Sequence, residues 1–465
     1  MKISTTVKNN QGHQKMLLKK RLFVVSVLSG LITTNVHAAG FAIAENSASG
    51  MGNAFAGAAA IAEDASTIYF NPAGLSKLGG QQIVVAGHVV RASADFSNNG
   101  STLNSSLGGG TLLGGNDISE ATALIPNFYY ANKLNDKWTF GLGINVPFGQ
   151  STNYSDTWAG RYNATKSEIA SLNINPSASF KVNDKLAVGF GVSAQYFEAT
   201  LANQIDSRAV CLSVATDAQC NGVGLTTLGD VNTDSSVSLN GDDWSFGWNV
   251  GLLYDINDET RLGFAYRSNV KQSIKGTADF TRSAGLNAIL GASTAFADAS
   301  ITTGIDLPET LSLSLNQAFS SKWTMLADVT WTKWSRFDKL VVNYDSAQPT
   351  TTIPENWEDS LRYSLGVNYQ ADEKWVYRAG LALDETPITT AKDRTARLPD
   401  ADRTWLSFGF GYKTSKTSSV DVGYTHIFFD DAAINNSSTA SFGHTLAGDF
   451  DVSVDIFSAQ YNWKF

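Results

Sequence analysis

After residue 38 this 465-residue chain has no run of about twenty apolar residues, which excludes membrane crossing by helices. It has only two cysteines, Cys211 and Cys220, nine positions apart in a polar stretch; that spacing is compatible with one local disulfide in an oxidising compartment. Beyond residue 38 the only histidines are His88, His426 and His444, and none stands in a CxxC or HExxH pattern. No metal site and no cofactor is therefore expected. A Ser/His/Asp group on a barrel rim would be needed for a lipase or protease, and no GxSxG accompanies the few histidines, so the chain is not expected to be an enzyme. Positive charge is scarce as well. Six of the 34 Lys/Arg lie in residues 1–38, leaving 28 basic against 43 acidic residues, which argues against a nucleic-acid partner.

The first 38 residues read as a secretory leader. Lys15, Lys19, Lys20 and Arg21 precede the apolar LFVVSVLSGLI (22–32), and VHA precedes Ala39, giving an expected cut after Ala38. The stretch before Met16 makes a long basic region, as an early start codon would.

From residue 81 onward, segments of about ten residues alternate apolar or aromatic with Gly, Ser, Asn and charged side chains. WSFGWNVGLLY (244–254) puts Trp244, Phe246, Trp248, Val250, Leu252 and Tyr254 on one face, opposite Ser245, Gly247, Asn249 and Gly251. Segments of this length and pattern suit strands with one side in lipid and the other in a polar lumen. Short turns (LNDKW, VNDKL, INDET, FSSKW, QADEKW, KTSKTSS) take turns with long loops rich in Gly, Ser, Thr, Asn and Asp. Six short turns and seven long loops join fourteen strands, as in an outer-membrane barrel with periplasmic termini. YNWKF ends the chain with Tyr461, Trp463 and Phe465 on one face, a terminal pattern that addresses barrel-assembly machinery. Trp138, Trp323, Trp375 and Trp405 are expected in an aromatic girdle at the headgroup level. The expectation is an all-β, 14-stranded antiparallel transmembrane β-barrel over 81–465, present as a monomer.

Residues 39–80 break the pattern. They are dense in Ala and Gly and offer only short helices, and a fourteen-strand barrel is wide enough to need filling, so they are expected as an N-terminal hatch, or plug, in the lumen. Asn71-Pro72-Ala73 is expected to tie a hatch turn to the wall.

AGFAIAENSASGMGNAFAG at 39–57, EDAS leading to FNPAG, DDWSFGWNVGLLYDI, YRSNVK (266–271), LPET (307–310) and LPDADRTWLSFG (398–409) resemble the FadL family of outer-membrane transporters for hydrophobic compounds. The resemblance implies passive uptake across the Gram-negative outer membrane: cargo arrives from the lipopolysaccharide side, occupies a pocket at the hatch N-terminus, where Phe41 lies, and leaves sideways into outer-membrane lipid. Long-chain fatty acids are the first expected cargo, aromatic or alkane hydrocarbons the second; a general porin is the reading from a neighbouring class. No energy-coupling box is evident after residue 38.

GLGINVPFGQ (141–150) begins as a strand and then carries its own breaker, Pro147, which lacks an N–H for the ladder. The resemblance implies a lateral opening here, in the third strand, at Pro147, Phe148 and Gly149. Where fatty-acid members of the family carry basic residues, this chain has Asn203 and Ile353. A carboxylate would then need another cation, with Arg208, Lys333, Arg336 and Arg362 as candidates, or the cargo is uncharged.

Overall fold

The computed structural model describes residues 40–437 and 442–465; the leader lies outside the described residues. Twenty strand segments form fourteen barrel strands, six of them interrupted. They are β1 (Gln81–Asn98), β2 (Asp117–Lys133), β3 (Trp138–Asn145 and Gly149–Asn153), β4 (Lys166–Lys181), β5 (Leu186–Ile205), β6 (Ser235–Asp255) and β7 (Thr260–Arg267 and Val270–Thr281). The second half comprises β8 (Ala299–Leu307 and Thr310–Ala318), β9 (Trp323–Thr332 and Lys339–Tyr344), β10 (Thr351–Pro354 and Ser360–Gln370), β11 (Trp375–Asp384), β12 (Arg403–Lys413), β13 (Ser418–Phe429 and Ala432–Ser437) and β14 (Thr445–Lys464). Neighbours pair antiparallel, and β1 closes on β14 from Gln82↔Lys464 to Asn98↔Gly448, so the first and last strands join and the sheet closes on itself.

The short turns are built by one repeated device. Asn135 Oδ1 accepts from the N–H groups of Lys137 and Trp138, both at 2.9 Å, and Asn183, Asn257 and Asp372 do the same for their own turns. Each therefore reverses the chain without leaving its amides unpaired. Alternation sorts the faces: Phe246, Trp248 and Leu252 of β6 are exposed to the membrane side while Asn249 is buried toward the lumen. Trp138 and Trp323 are exposed beside the short turns, where a girdle needs them. Trp405 is a correction to the girdle: it starts β12 after a long loop and is 1% exposed, packed inside the lumen with Ile43, Met51 and Phe55.

About ten residues suffice to cross the bilayer, and Trp323–Thr332 and Ser360–Gln370 supply them in β9 and β10. The chain from 333 to 359 therefore projects above the membrane on the long-loop side, as do the long loops around it.

Residues 40–80 fill the lumen with three single-turn helices, α1 (Ala48–Met51), α2 (Ala58–Ile61) and α3 (Thr67–Phe70), followed by a 3-10 turn, Pro72–Lys77. These are too short to be stable alone, so their order comes from the wall. Asn71 supplies one anchor. Its Nδ2 donates to Ala59 O at 2.6 Å and to Leu252 O of β6 at 3.0 Å, while its Oδ1 accepts from Ala73 N at 3.0 Å. Wall glycines let the hatch backbone come this close. A Cβ on Gly189 would lie 2.2 Å from Ala73 N, and one on Gly263 would lie 2.0 Å from Ala59 O.

Candidate functional site

The hatch enters the described structure at Gly40, whose N–H donates to Asp400 Oδ2 at 3.0 Å. A side chain there would run into the Trp334 and Trp357 rings at 2.7 Å, and φ is +58°, so the position suits glycine on both counts. Phe41 follows, 3% exposed, with ring centroids 4.8 Å from Trp334, 5.7 Å from Trp357, 5.8 Å from Phe337 and 5.9 Å from Phe148. Above this aromatic cluster lies a cavity walled mainly by Ile169, Phe197, Leu239, Ile274, Ile305 and Leu340. Its lining carries only two charged residues, Glu355 and Arg397.

Beside Phe41 the third strand breaks. On the β4 side, Asn145 pairs with Asn173 and Gly149 with Ala170, so four steps along β3 oppose three along β4, a bulge of one residue. Ser171 covers the bulge: its Oγ accepts from Phe148 N at 2.9 Å and donates to Phe148 O at 2.6 Å. On the other side, β2 pairs with β3 only from Lys133↔Thr139 to Phe128↔Ile144. Higher up, the next tie is Asn153 N to Ser119 Oγ at 2.9 Å. From Glu120 to Asn127, β2 has β1 as its only ladder partner. The edge of β3 facing that gap is taken by the hatch: Ile43 N donates to Pro147 O at 2.8 Å and Gly149 N to Phe41 O at 3.0 Å, with Ala42 bridged to Phe148. Pro126 on the β2 rim and Pro147 on the β3 rim both lack an N–H. The lumenal side of the gap is apolar, with Ile43, Ala123, Ile125 and Val146 in one cluster.

The expected cations divide. Arg362 lines a second cavity, between hatch and wall, that is shared with Arg267, Asp384 and Trp405; its guanidinium carbon lies 5.8 Å from the Phe55 ring centroid. Arg336 is bound to Glu309 through two nitrogens, Nη2 at 2.7 Å from Oε1, and Lys333 reaches the same carboxylate at 3.8 Å. Neither Arg336 nor Lys333 lines either cavity. Arg208 is occupied within a loop, holding Asp217, Asn221 and the Leu225 carbonyl, and it too faces neither cavity. Its helix, α4 (Ser207–Val214), is joined to α5 (Asp217–Gly222) by the Cys211–Cys220 bond.

The cation that does line the apolar cavity is Arg397, in the loop between β11 and β12. Its Nη1 donates to Lys166 O and Ser167 Oγ, each at 3.1 Å, and its Nη2 to Asn203 Oδ1 at 3.2 Å. Asn203 thus helps hold an arginine brought in from the β11–β12 loop. Arg397 immediately precedes the LPDADRTWLSFG stretch, which does not itself include it. Burial pulls the Arg397 guanidinium down to about 10 and pushes the Glu355 carboxyl up to about 8, each partly offset by the other's charge.

A closed fourteen-strand barrel whose lumen is filled, whose path is apolar and whose wall is unpaired at one level defines an outer-membrane channel for hydrophobic compounds. Residues 29–465 match the family described as outer membrane protein transport protein (OMPP1/FadL/TodX), and the chain belongs to it. Among relatives, the long-chain fatty acid transport protein of Escherichia coli O6:H1 is 31% identical over 421 residues, covering 89% of this chain and 92% of that protein. The putative outer membrane protein NMB0088 of Neisseria meningitidis serogroup B is 33% identical over 469 residues, covering 96% and 99%. Among solved structures, a Pseudomonas aeruginosa FadL homologue superposes with a TM-score of 0.81 at 24% identity, covering 92% of this chain and 100% of that one. The Pseudomonas putida toluene transporter TodX gives 0.62 at 18%, covering 86% and 94%. At these identities the structures speak for the fold.

Proposed function

We propose that the protein admits long-chain fatty acids passively and releases them sideways into the outer leaflet through the gap between β2 and β3. The observation that carries this reading is the unpaired stretch Glu120–Asn127, placed beside Pro147 and the aromatic cluster around Phe41. Lipopolysaccharide resists greasy solutes, and a water-filled pore offers them no favourable surroundings. A dry path that opens into lipid avoids both obstacles and needs neither chemistry on the cargo nor an energy source. The cargo class is supported by the fatty-acid transport relatives and by a cavity that is apolar along its length with a cation at one end. Outer-membrane lipid then receives the cargo, barrel-assembly machinery inserts the chain, and a monomer is sufficient because one chain closes the wall.

The second reading, an aromatic-hydrocarbon channel, is favoured by the rings of Phe41, Trp334, Phe337 and Trp357 around one point. A general porin is disfavoured by the packed hatch. Extraction of the detergent-purified protein with organic solvent, followed by mass spectrometry, distinguishes the first two. Fatty acids in stoichiometric amount are the expected result. Recovery of neutral hydrocarbons alone, with no competition by oleate for their binding, would overturn the fatty-acid assignment.

A further inference from the structure

We propose that Arg397 receives the carboxylate of the cargo and that cargo is bound with Glu355 protonated, one proton being taken up from water wherever free Glu355 is ionised. The inference rests on the fatty-acid reading above and names the polar end of the same cavity.

Arg397 and Glu355 are the only charged residues lining a cavity that is otherwise apolar apart from a few amides and hydroxyls. Arg397 is held by neutral groups alone, the Lys166 carbonyl, Ser167 and Asn203, and among the described residues no carboxylate comes within ion-pair distance of it. Its guanidinium is thus fixed in place with its charge uncommitted, a suitable arrangement for a carboxylate that comes and goes. Glu355 is set by its backbone, whose N–H donates to Asp338 O at 2.8 Å, and its side chain is 6% exposed.

The charged groups around Glu355 come from several elements. Arg397 and Asp393 belong to the β11–β12 loop and Asp338 to the chain leading into the upper piece of β9. From β4 the Lys166 carbonyl and Ser167 Oγ accept from Arg397, and the Lys166 ammonium is paired with Glu168 at 3.0 Å. Once Glu355 ionises, one anion and one cation leave the cavity neutral. A second anion would leave it negative at low dielectric, and one proton on Glu355 restores neutrality, so a carboxylate plus a proton is the species taken up. Asp393 adds to the same tendency by repelling the Glu355 charge.

The sign for pH follows. Binding favours protonated Glu355, so affinity is constant while free Glu355 is already protonated and falls about tenfold per pH unit once it ionises. Burial places that turn near pH 8. The test uses the full-length protein in detergent, with oleate, dodecyl sulfonate as an anion that does not titrate, and oleyl alcohol as an uncharged chain, from pH 6 to 9.5. Both anions should weaken above pH 8 and the alcohol should not. Arg397→Gln should weaken both anions about tenfold or more and leave the alcohol within about twofold. Glu355→Gln should remove the pH dependence and tighten the anions at pH 9.5. Retained alcohol binding shows that each variant is folded. If Arg397→Gln binds oleate as the wild type does, or Glu355→Gln keeps the pH dependence, this proposal is wrong while the fatty-acid reading stands. If the wild type binds the alcohol but neither anion at any pH, the fatty-acid reading falls and this proposal with it.

Discussion

Deleting Pro147 tests the lateral route, because the bulge is one residue long. The steps Asn145–Gly149 and Asn173–Ala170 differ by that one residue, so the deletion lets β3 run straight against β4 with both flanking registers unchanged. A straight β3 then faces the unpaired row Glu120–Asn127 of β2. Allowing for Pro126, about six ladder bonds become available, worth on the order of 3–6 kcal/mol net at 0.5–1 each. Against them stand the two bonds the hatch now makes to this edge, from Ile43 N to Pro147 O and from Gly149 N to Phe41 O. Their loss costs about 1–2 kcal/mol, which leaves closure ahead by roughly 2–4 kcal/mol, a factor of about 30 to 1000 in the population of open wall. Gly149 is left alone, since a Cβ there would lie 2.8 Å from Ile43 Cδ1 and disturb the hatch directly. Oleate uptake by cells lacking another channel should fall about 30-fold or more, while the purified protein still binds oleate and still shows the heat-dependent gel shift of a folded barrel. Wild-type uptake from a deletion protein whose crystal structure shows β2 and β3 paired throughout would refute the lateral route.

Two further outcomes concern the hatch and the loop. Asn71→Ala removes two donated bonds and one accepted bond from a buried turn, so the hatch should loosen by about 2–4 kcal/mol; limited proteolysis should cut within 40–80 and uptake should drop, and a hatch as resistant as wild type would remove the anchoring role. Replacing Cys211 and Cys220 by Ser frees a nine-residue separation, which should destabilise the loop helices by about 2–3 kcal/mol without altering barrel folding; loss of the folded gel band, or two free thiols in protein taken from the outer membrane, would contradict this.

Much of the barrel was legible because its signals are local. Period-two alternation gave the strands, and the Asn-Asp-Lys type of turn both marked and built the short connections. The break at Pro147 was legible for the same reason, being a missing donor inside an alternating segment. Trp405 was misplaced because alternation tells one face from the other without saying which face meets lipid, and a lumen that holds a hatch is itself apolar in places. The wall glycines were read as weak polar positions; only the hatch backbone, more than a hundred residues away in sequence, explains Gly189 and Gly263. Arg208, Lys333 and Arg336 stood out as cations, yet each has acidic neighbours close in sequence or across one turn that absorb it. Arg397 was hidden by the opposite circumstance: its partners Lys166, Ser167 and Asn203 lie 231, 230 and 194 residues before it, and no local pattern links a loop to the wall it folds onto.

The same long-range closure explains why the cavity and the gap act together. Phe41 is wall to the cavity, while the backbone of Phe41–Ile43 is the strand partner that keeps β3 from pairing with β2. These are successive residues of one short segment with no helix of its own before Ala48, so a shift of the Phe41 ring is carried directly into the bonds at Pro147 and Gly149. An acyl chain lying against Phe41 therefore presses on the element that occupies the rim of the gap. On the lateral reading proposed above, the hatch strand need not leave for cargo to pass, because the row on β2 above Phe128 is unpaired by β3 already. The hatch strand occupies the β3 edge that closure would need, and Pro126 on one rim and Pro147 on the other each lack a donor.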